Sequence, residues 1–236
     1  MKLLLFVSHS GLCSRRDAMD LIQGGHIKVN GVVIREPSST VEPQKDRVYF
    51  RERQLSVKEN IYIVINKPKG VTTTKEDRFA KVTIMDLLPT EYRHLNPVGR
   101  LDQDTTGLLI LTNDGDLTHK LTHPSFHIDK IYIADLDRSL TNKDRVRLEN
   151  GVELEDGKTL PCKIFNLEAG RVKINIHEGR KRQIKLMFKI VGYKVRTLRR
   201  VSIGNLQLGD LKEGSWRKLS NIEVGKLKDA DKKYGK

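Results

Sequence analysis

The sequence predicts an α+β protein of two unequal parts, a small α/β module over residues 1–50 and a larger domain over 61–228 in which helices pack on a mixed sheet. Three observations carry that prediction. The chain has 236 residues, more than one domain of about 100–150 residues uses. A polar stretch at 51–60, "RERQLSVKEN", has no apolar period and reads as a linker. Beyond it, short aliphatic runs alternate with helical patterns.

In the first part, Ser14 followed by Asp17 has the form of a capping box, Ala18, Leu21 and Ile22 follow at helical spacing, and Gly24-Gly25 ends the helix. "HIKVNGVVI" then places two alternating runs around Asn30-Gly31, the strongest short-range signal for a tight hairpin. Arg15 and Arg16 fall in the first turn, where the helix dipole disfavours exposed positive charge by roughly 0.3–1 kcal/mol each. A phosphate partner would offset that cost.

In the second part, strands are expected at Ile61–Asn66, Gly107–Thr112, Ile131–Leu136 and Val172–Ile176. Thr83–Leu88 and Leu117–Thr122 look helical, the latter capped by Asp116 and stopped before Pro124. The clearest helix lies in "GRKRQIKLMFKIVGY". There Ile184, Met187, Phe188 and Val191 follow i, i+3, i+4, i+7, Lys181, Lys185 and Lys189 stack at i, i+4, i+8, and Gly192 serves as C-cap. Residues 229–236 read as a basic tail.

Charge is unevenly placed. The formal net charge is +14, with +2 in residues 1–50, −1 in 51–170 and +13 in 171–236. Between Arg180 and Arg200 nine basic residues and no acid accompany a regular apolar pattern, so this is a folded basic surface, and phosphate backbones are its commonest partner. Cys13 and Cys162 lack metal-ligand spacing and read as free buried thiols in a reducing compartment. No apolar run approaches the roughly 20 residues of a membrane span, and "KLLLFV" is short for a signal peptide, so a cytoplasmic protein without a membrane partner is expected.

The candidate chemistry narrows by elimination. His119, His123 and His127 share helical spacing, but Pro124 interrupts the helix a zinc face would need, and no metal is expected. There is no nucleophile elbow and no phosphate-binding glycine loop. What remains is "GRLDQDTTG", Gly99 to Gly107, an Arg, two acids and two threonines bracketed by glycines before an aliphatic run. Spacing alone leaves Asp102 either as a turn cap paired with Arg100 or as a working carboxylate.

Two resemblances bear on that choice. "SRRDAMDLIQGGHIKVNG" resembles the small RNA-binding module named after ribosomal protein S4, over roughly Ser8 to Val48, although "MKLLLF" lacks the basic residues often found at its start. "GRLDQDTTGLLILTNDG" resembles the signature motif of the RsuA/RluB branch of ribosomal RNA pseudouridine synthases. In the same order come "NKPKGV", "DKIYIADL", "GVELEDG", "HEGRKRQIKLMF" and "GDLKEGSWRKL", so the resemblance covers nearly the whole chain.

The resemblance implies a mixed, mainly antiparallel sheet and isomerisation of a specific uridine in RNA to pseudouridine, with no cofactor. It makes Asp102 the catalytic carboxylate, Tyr132 the tyrosine against the target base, and Lys185 the basic partner of Asp102, at a position where many relatives carry arginine. Contacts to RNA are expected from Arg15, Arg16 and Lys28 in the first module. In the second they are expected from Lys67, Arg100, Gln103, Thr106, Arg180, Lys181, Arg182, Gln183, Lys189, Arg199 and Arg200. The implied partner is ribosomal RNA, with the large subunit favoured, or a pre-ribosomal particle, and the expected state is a monomer. The competing reading is a non-catalytic ribosome-assembly factor that binds ribosomal RNA through the same surfaces. A glycosidase would want a second acid across the scissile bond, and Asp104 is too near in sequence for that role.

Overall fold

The computed structural model describes residues 1–75 and 80–230. The chain forms two compact units, Met1–Asn60 and Ile61–Lys236.

In the first unit, α1 (Leu3–His9) buries Leu3, Leu4, Phe6 and Val7, so the apolar run at the start of the chain is a core helix. Helix α2 (Arg15–Gln23) begins with the reciprocal Ser14–Asp17 capping box and ends at Gly24. Strands β1 (Ile27–Val29) and β2 (Val32–Val33) pair across Asn30 and Gly31, whose φ of 50° and 85° are what the tight hairpin turn requires. Strands β3 (Val48–Phe50) and β4 (Arg53–Leu55) complete a sheet of order β2-β1-β3-β4. The stretch read as a linker is therefore partly sheet: Val48 pairs with Leu55, and Leu55 is buried with Val41 and Ile27.

The second unit is built on one nine-stranded sheet. Its strands are β5 (Tyr62–Lys67), β6 (Asn96–Pro97), β7 (Thr106–Thr112), β8 (Lys130–Leu136), β11 (Lys163–Glu168), β12 (Arg171–Ile176), β13 (Val195–Ile203), β14 (Leu206–Gln207) and β15 (Trp216–Lys218). The main order is β11-β12-β8-β13-β7-β5-β15, with β14 on β13 and β6 on β7. A separate hairpin joins β9 (Glu153–Leu154) to β10 (Gly157–Lys158). Among the described strands β7 and β13 form the parallel pair, and the sheet is otherwise antiparallel.

Both faces of the sheet centre are covered, which explains the unbroken apolar run of β7. Leu109 and Leu111 join Ile63 and Ile65 in one core, while Leu108 and Ile110 join Val64 in the other. The first core is closed by α4 (Asn142–Glu149) through Leu148 and by α5 (Gln183–Ile190) through Ile184, Met187 and Phe188. The second is closed by α3 (Gly115–Thr122) through Leu117 and Leu121 and by α6 (Asn221–Lys228) through Leu227.

Several local expectations change. Asp114, not Asp116, caps α3, accepting the Leu117 N–H at 2.9 Å. Thr83–Leu88 holds a single 3-10 turn, Ile84–Leu87. Helix α5 starts at Gln183, so Lys181 precedes it and the lysine column is broken. Ala230 packs into the second core, so the expected tail of 229–236 is anchored at its start, and 231–236 lie outside the described residues. Cys162 is buried but Cys13 is only half-buried, and both are free thiols.

Candidate active site

The loop from Gly99 to Thr105 joins β6 to β7 and is held by the segment that follows β5. Lys67, the last residue of β5, is fully buried, and its ammonium donates to the carbonyls of Pro68 (2.9 Å), Gln103 (3.4 Å) and Thr105 (2.9 Å). The Gly70 N–H donates to the Gln103 carbonyl at 2.8 Å, and the Gln103 amide donates back to the Gly70 carbonyl at 3.1 Å. The Thr73 hydroxyl donates to the Leu101 carbonyl at 2.9 Å. "NKPKGV" thus fixes the backbone after Asp102, and Thr73, two residues beyond the motif, fixes it before. Burial pushes the Lys67 ammonium down to about 8, against the pull of Asp104 and Asp102 in the other direction.

Gly107, the second residue of β7, lies at the sheet centre. Its φ is +106°, and a Cβ there would stand 2.2 Å from the Arg200 carbonyl oxygen, so only glycine lets β7 lie against β13 at this point. Directly across β13, Arg200 is in register with Tyr132 of β8. Lys130 precedes Tyr132 by two residues and shares its face of the strand.

These strands and the loop enclose a cavity of about 160 Å³ lined by Asp102, Lys130, Tyr132, Arg182, Arg200 and Ile203, among others. Tyr132 is 7 % exposed and its hydroxyl accepts from Arg200 Nη1 at 3.4 Å. Lys185, at the first turn of α5, is 3.9 Å from Asp102 Oδ2, but its close partner is Asp104, to which its ammonium donates, and it reaches the Thr105 hydroxyl at 3.2 Å. The expected Lys185–Asp102 pair is therefore a shared clamp with Asp104 as its nearer arm. Burial alone would raise the Asp104 carboxyl, but the hydrogen bond and charge of Lys185, with Arg182 at 3.7 Å, hold it below the usual carboxylate range.

Four expected RNA contacts lie elsewhere than on a free surface. Lys67 is the loop anchor just described. Gln183 is 3 % exposed and donates to Glu178. Arg180 is spent on Asp156, Glu178 and the Gly157 and Lys158 carbonyls. Arg200 is 2 % exposed and donates from Nε to the Leu108 carbonyl at 2.8 Å. In each case the cation or amide supplies internal hydrogen bonds that buried polar groups demand. Arg100, Gln103, Lys181, Arg182, Lys189 and Arg199 are exposed and Thr106 half-buried in this unit, while Arg15, Arg16 and Lys28 are exposed in the first.

Sequence reasoning passed over Lys130, Asp104 as a partner of Lys185, and the anchoring role of Lys67. For Lys130 a signal existed: strand period 2 puts residue 130 on the face of Tyr132. The other two depend on contacts across the fold.

Comparison with known proteins agrees with this architecture. Residues 61–189 match the model of the RNA pseudouridylate synthase family, and residues 1–48 match the S4 domain. A ribosomal large subunit pseudouridine synthase B of Bacillus subtilis is 37 % identical, over 94 % of this chain and 93 % of that protein. An RNA pseudouridine synthase of Aquifex aeolicus is also 37 % identical, over 94 % and 91 %. The crystal structure of a pseudouridylate synthase superposes with a TM-score of 0.71 at 33 % identity, covering 96 % of this chain and 99 % of that one. On the strength of this full-length similarity and the shared fold, the chain belongs to the RNA pseudouridylate synthase family, with an S4 domain at its N-terminal end.

Proposed function

We propose that this chain isomerises one uridine of ribosomal RNA to pseudouridine, with Asp102 as the reacting carboxylate and large-subunit RNA as the substrate. The observation that carries the reading is that Asp102 and Tyr132 line one cavity of about 160 Å³. A cavity of ~150 Å³ accepts a six-membered ring, so an extruded pyrimidine fits beside both side chains. Chemistry on a base in folded RNA requires such extrusion, at an unstacking cost of a few kcal/mol. The name of the Bacillus subtilis relative supports the choice of ribosomal large-subunit RNA.

The reaction conserves every atom. The C1′–N1 bond breaks, the base turns, C1′ bonds to C5, the C5 proton leaves and N1 gains one. A single carboxylate acts in it as nucleophile or as base, and the Lys67 and Lys185 contacts hold Asp102 in place for either role. Tyr132 packs against the base. Arg100, Lys181, Arg182, Lys189 and Arg199, with Arg15, Arg16 and Lys28 of the S4 domain, supply charge for the RNA backbone. Tight binding by such charge is salt-dependent, since each phosphate contact releases counterions.

Pseudouridine mapping of ribosomal RNA from cells lacking the protein tests the reading. One site should disappear, wild type should restore it, and Asp102→Asn should not, while Asp102→Asn still binds the RNA. Restoration by Asp102→Asn would remove the carboxylate from the mechanism. If no site changes, the chain is an RNA-binding assembly factor.

A further inference from the structure

We propose that Lys130 and Arg200 form a fixed cationic pair that holds the negative charge on the uracil while it is detached from the ribose. The inference rests on the pseudouridine reading and goes beyond it, because it assigns the charge of the intermediate to two residues deep in the cavity rather than to the loop.

The structural observation is two uncompensated buried cations. Lys130 is 9 % exposed, and its ammonium, which carries three donors, makes one contact, to the Ile128 carbonyl at 3.3 Å. Arg200 uses Nε on Leu108 and Nη1 on Tyr132, and its Nη2 is buried without a partner among the described residues. Neither residue forms an ion pair among the described residues, the Arg200 guanidinium having beside these hydrogen bonds only the Tyr132 ring, 5.9 Å away, and both line the cavity that Asp102 lines. Burying two like charges without a counterion is costly. The Lys130 ammonium shows that cost: burial and the nearby Arg200 guanidinium bring it down to about 8, with Asp129 opposing. An anion in the cavity would relieve it, and the described part of the cavity offers only Asp102, which the Lys185 clamp already faces.

The reaction supplies such an anion. Heterolysis of C1′–N1 sends the bonding pair with the base, and the charge spreads over N1, O2 and O4. The electron deficit at C1′ is met by a bond from Asp102 or by loss of the C2′ proton. The base then turns and its ring donates a pair to C1′ to form C1′–C5, as the Asp102–C1′ bond breaks and frees the carboxylate on the first branch, or as the abstracted proton returns to C2′ on the second; the C5 proton leaves and N1 is protonated, which restores neutrality. Fixed cations around a developing anion in a water-poor site lower the barrier because they need no reorganisation. They also keep the detached base in place without gripping one edge of it, since ammonium and guanidinium attract N1, O2 or O4 alike as the ring turns.

The test uses full-length protein and large-subunit ribosomal RNA transcribed with uridine or with 5-fluorouridine, in single-turnover reactions that count C-linked nucleoside after digestion. Fluorine withdraws electrons, so the detached base carries its charge more easily and depends less on the cations. Lys130→Met should slow the uridine reaction by about 100-fold with RNA affinity unchanged, and by less than about tenfold on the fluorinated RNA. Arg200→Lys, which keeps a charge, should lose less than Arg200→Met, with folding of each variant checked by thermal melting. Equal slowing of both RNAs by Lys130→Met, or loss confined to RNA affinity, overturns the proposal and makes the pair structural or phosphate-binding. A wild type that converts neither RNA overturns the pseudouridine reading itself, and this inference falls with it.

Discussion

In the S4 unit, Arg15, Arg16 and Lys28 stand exposed on α2 and β1, whereas in the second unit Lys67, Lys130 and Arg200 lie inside the fold beside the loop and the cavity. The same side-chain charge does different physical work in the two settings. Exposed cations interact through water, are screened by salt and add affinity for a polyanion in small equal steps. Buried cations are fixed in place, expensive to keep charged and able to hold backbone or to act on a substrate's charge. The exposed and the buried cations thus differ in what they can do, and the net charge of +14 says nothing about how many belong to each kind.

The sharpest way to break the comparison is at Gly107. Gly107→Val forces a side chain into the Arg200 carbonyl and strains a backbone at φ +106°, so unfolding free energy should fall by about 3–5 kcal/mol or the chain should not fold at all, as thermal melting will show. Next is Lys67→Met, which strips three carbonyls of their buried donor. A loss of about 2–3 kcal/mol in stability is expected, with pseudouridine formation falling and RNA affinity holding. If affinity falls while turnover holds, Lys67 belongs with the exposed cations after all.

A subtler difference is in pH. Lys67 and Lys130 sit at about 8 in the folded chain, below the roughly 10.4 of a free lysine. Between those values the unfolded chain binds more protons at these positions, so their contribution makes unfolding free energy rise with pH from about 8 to about 10.4. Denaturant titrations across that window should show a flatter slope for Lys67→Met than for wild type. Among the exposed cations, an Arg15→Ala, Arg16→Ala double variant should reduce the salt dependence of RNA binding by about 0.7–0.9 in log–log slope for each phosphate it no longer neutralises, with turnover at saturating RNA unaltered.

Local signals were legible wherever a few neighbouring residues suffice. The Ser14–Asp17 box, the Asn30-Gly31 hairpin, the aliphatic strands and the apolar face of α5 need only a turn's or a strand's worth of chain, and each is where its pattern places it. The misreadings share another cause. The segment at 51–60 is polar because β4 lies at the edge of a small sheet, so composition could not tell it from a linker. Arg180 looks like a surface group by type, yet its partners Asp156, Gly157 and Lys158 come from another stretch of the chain, while Gln183 turns inward onto Glu178, five residues before it. Basic residues in a basic segment are indistinguishable until those partners are placed.

What the sequence by itself determined is the list of parts: two units, the family-like motifs in order, the loop "GRLDQDTTG" and the aliphatic strand after it. These are properties of residue type and period. The tertiary structure alone decided which charges are spent on the fold and which face the cavity. It set Lys185 against Asp104 as well as Asp102, anchored the loop through Lys67, and brought Lys130 and Arg200 to the lining that Tyr132 shares. The physical reason is that a charge acts over a few ångströms in space, and the residues within that reach come here from strands separated by about a hundred positions in the chain, as with Leu108 and Arg200.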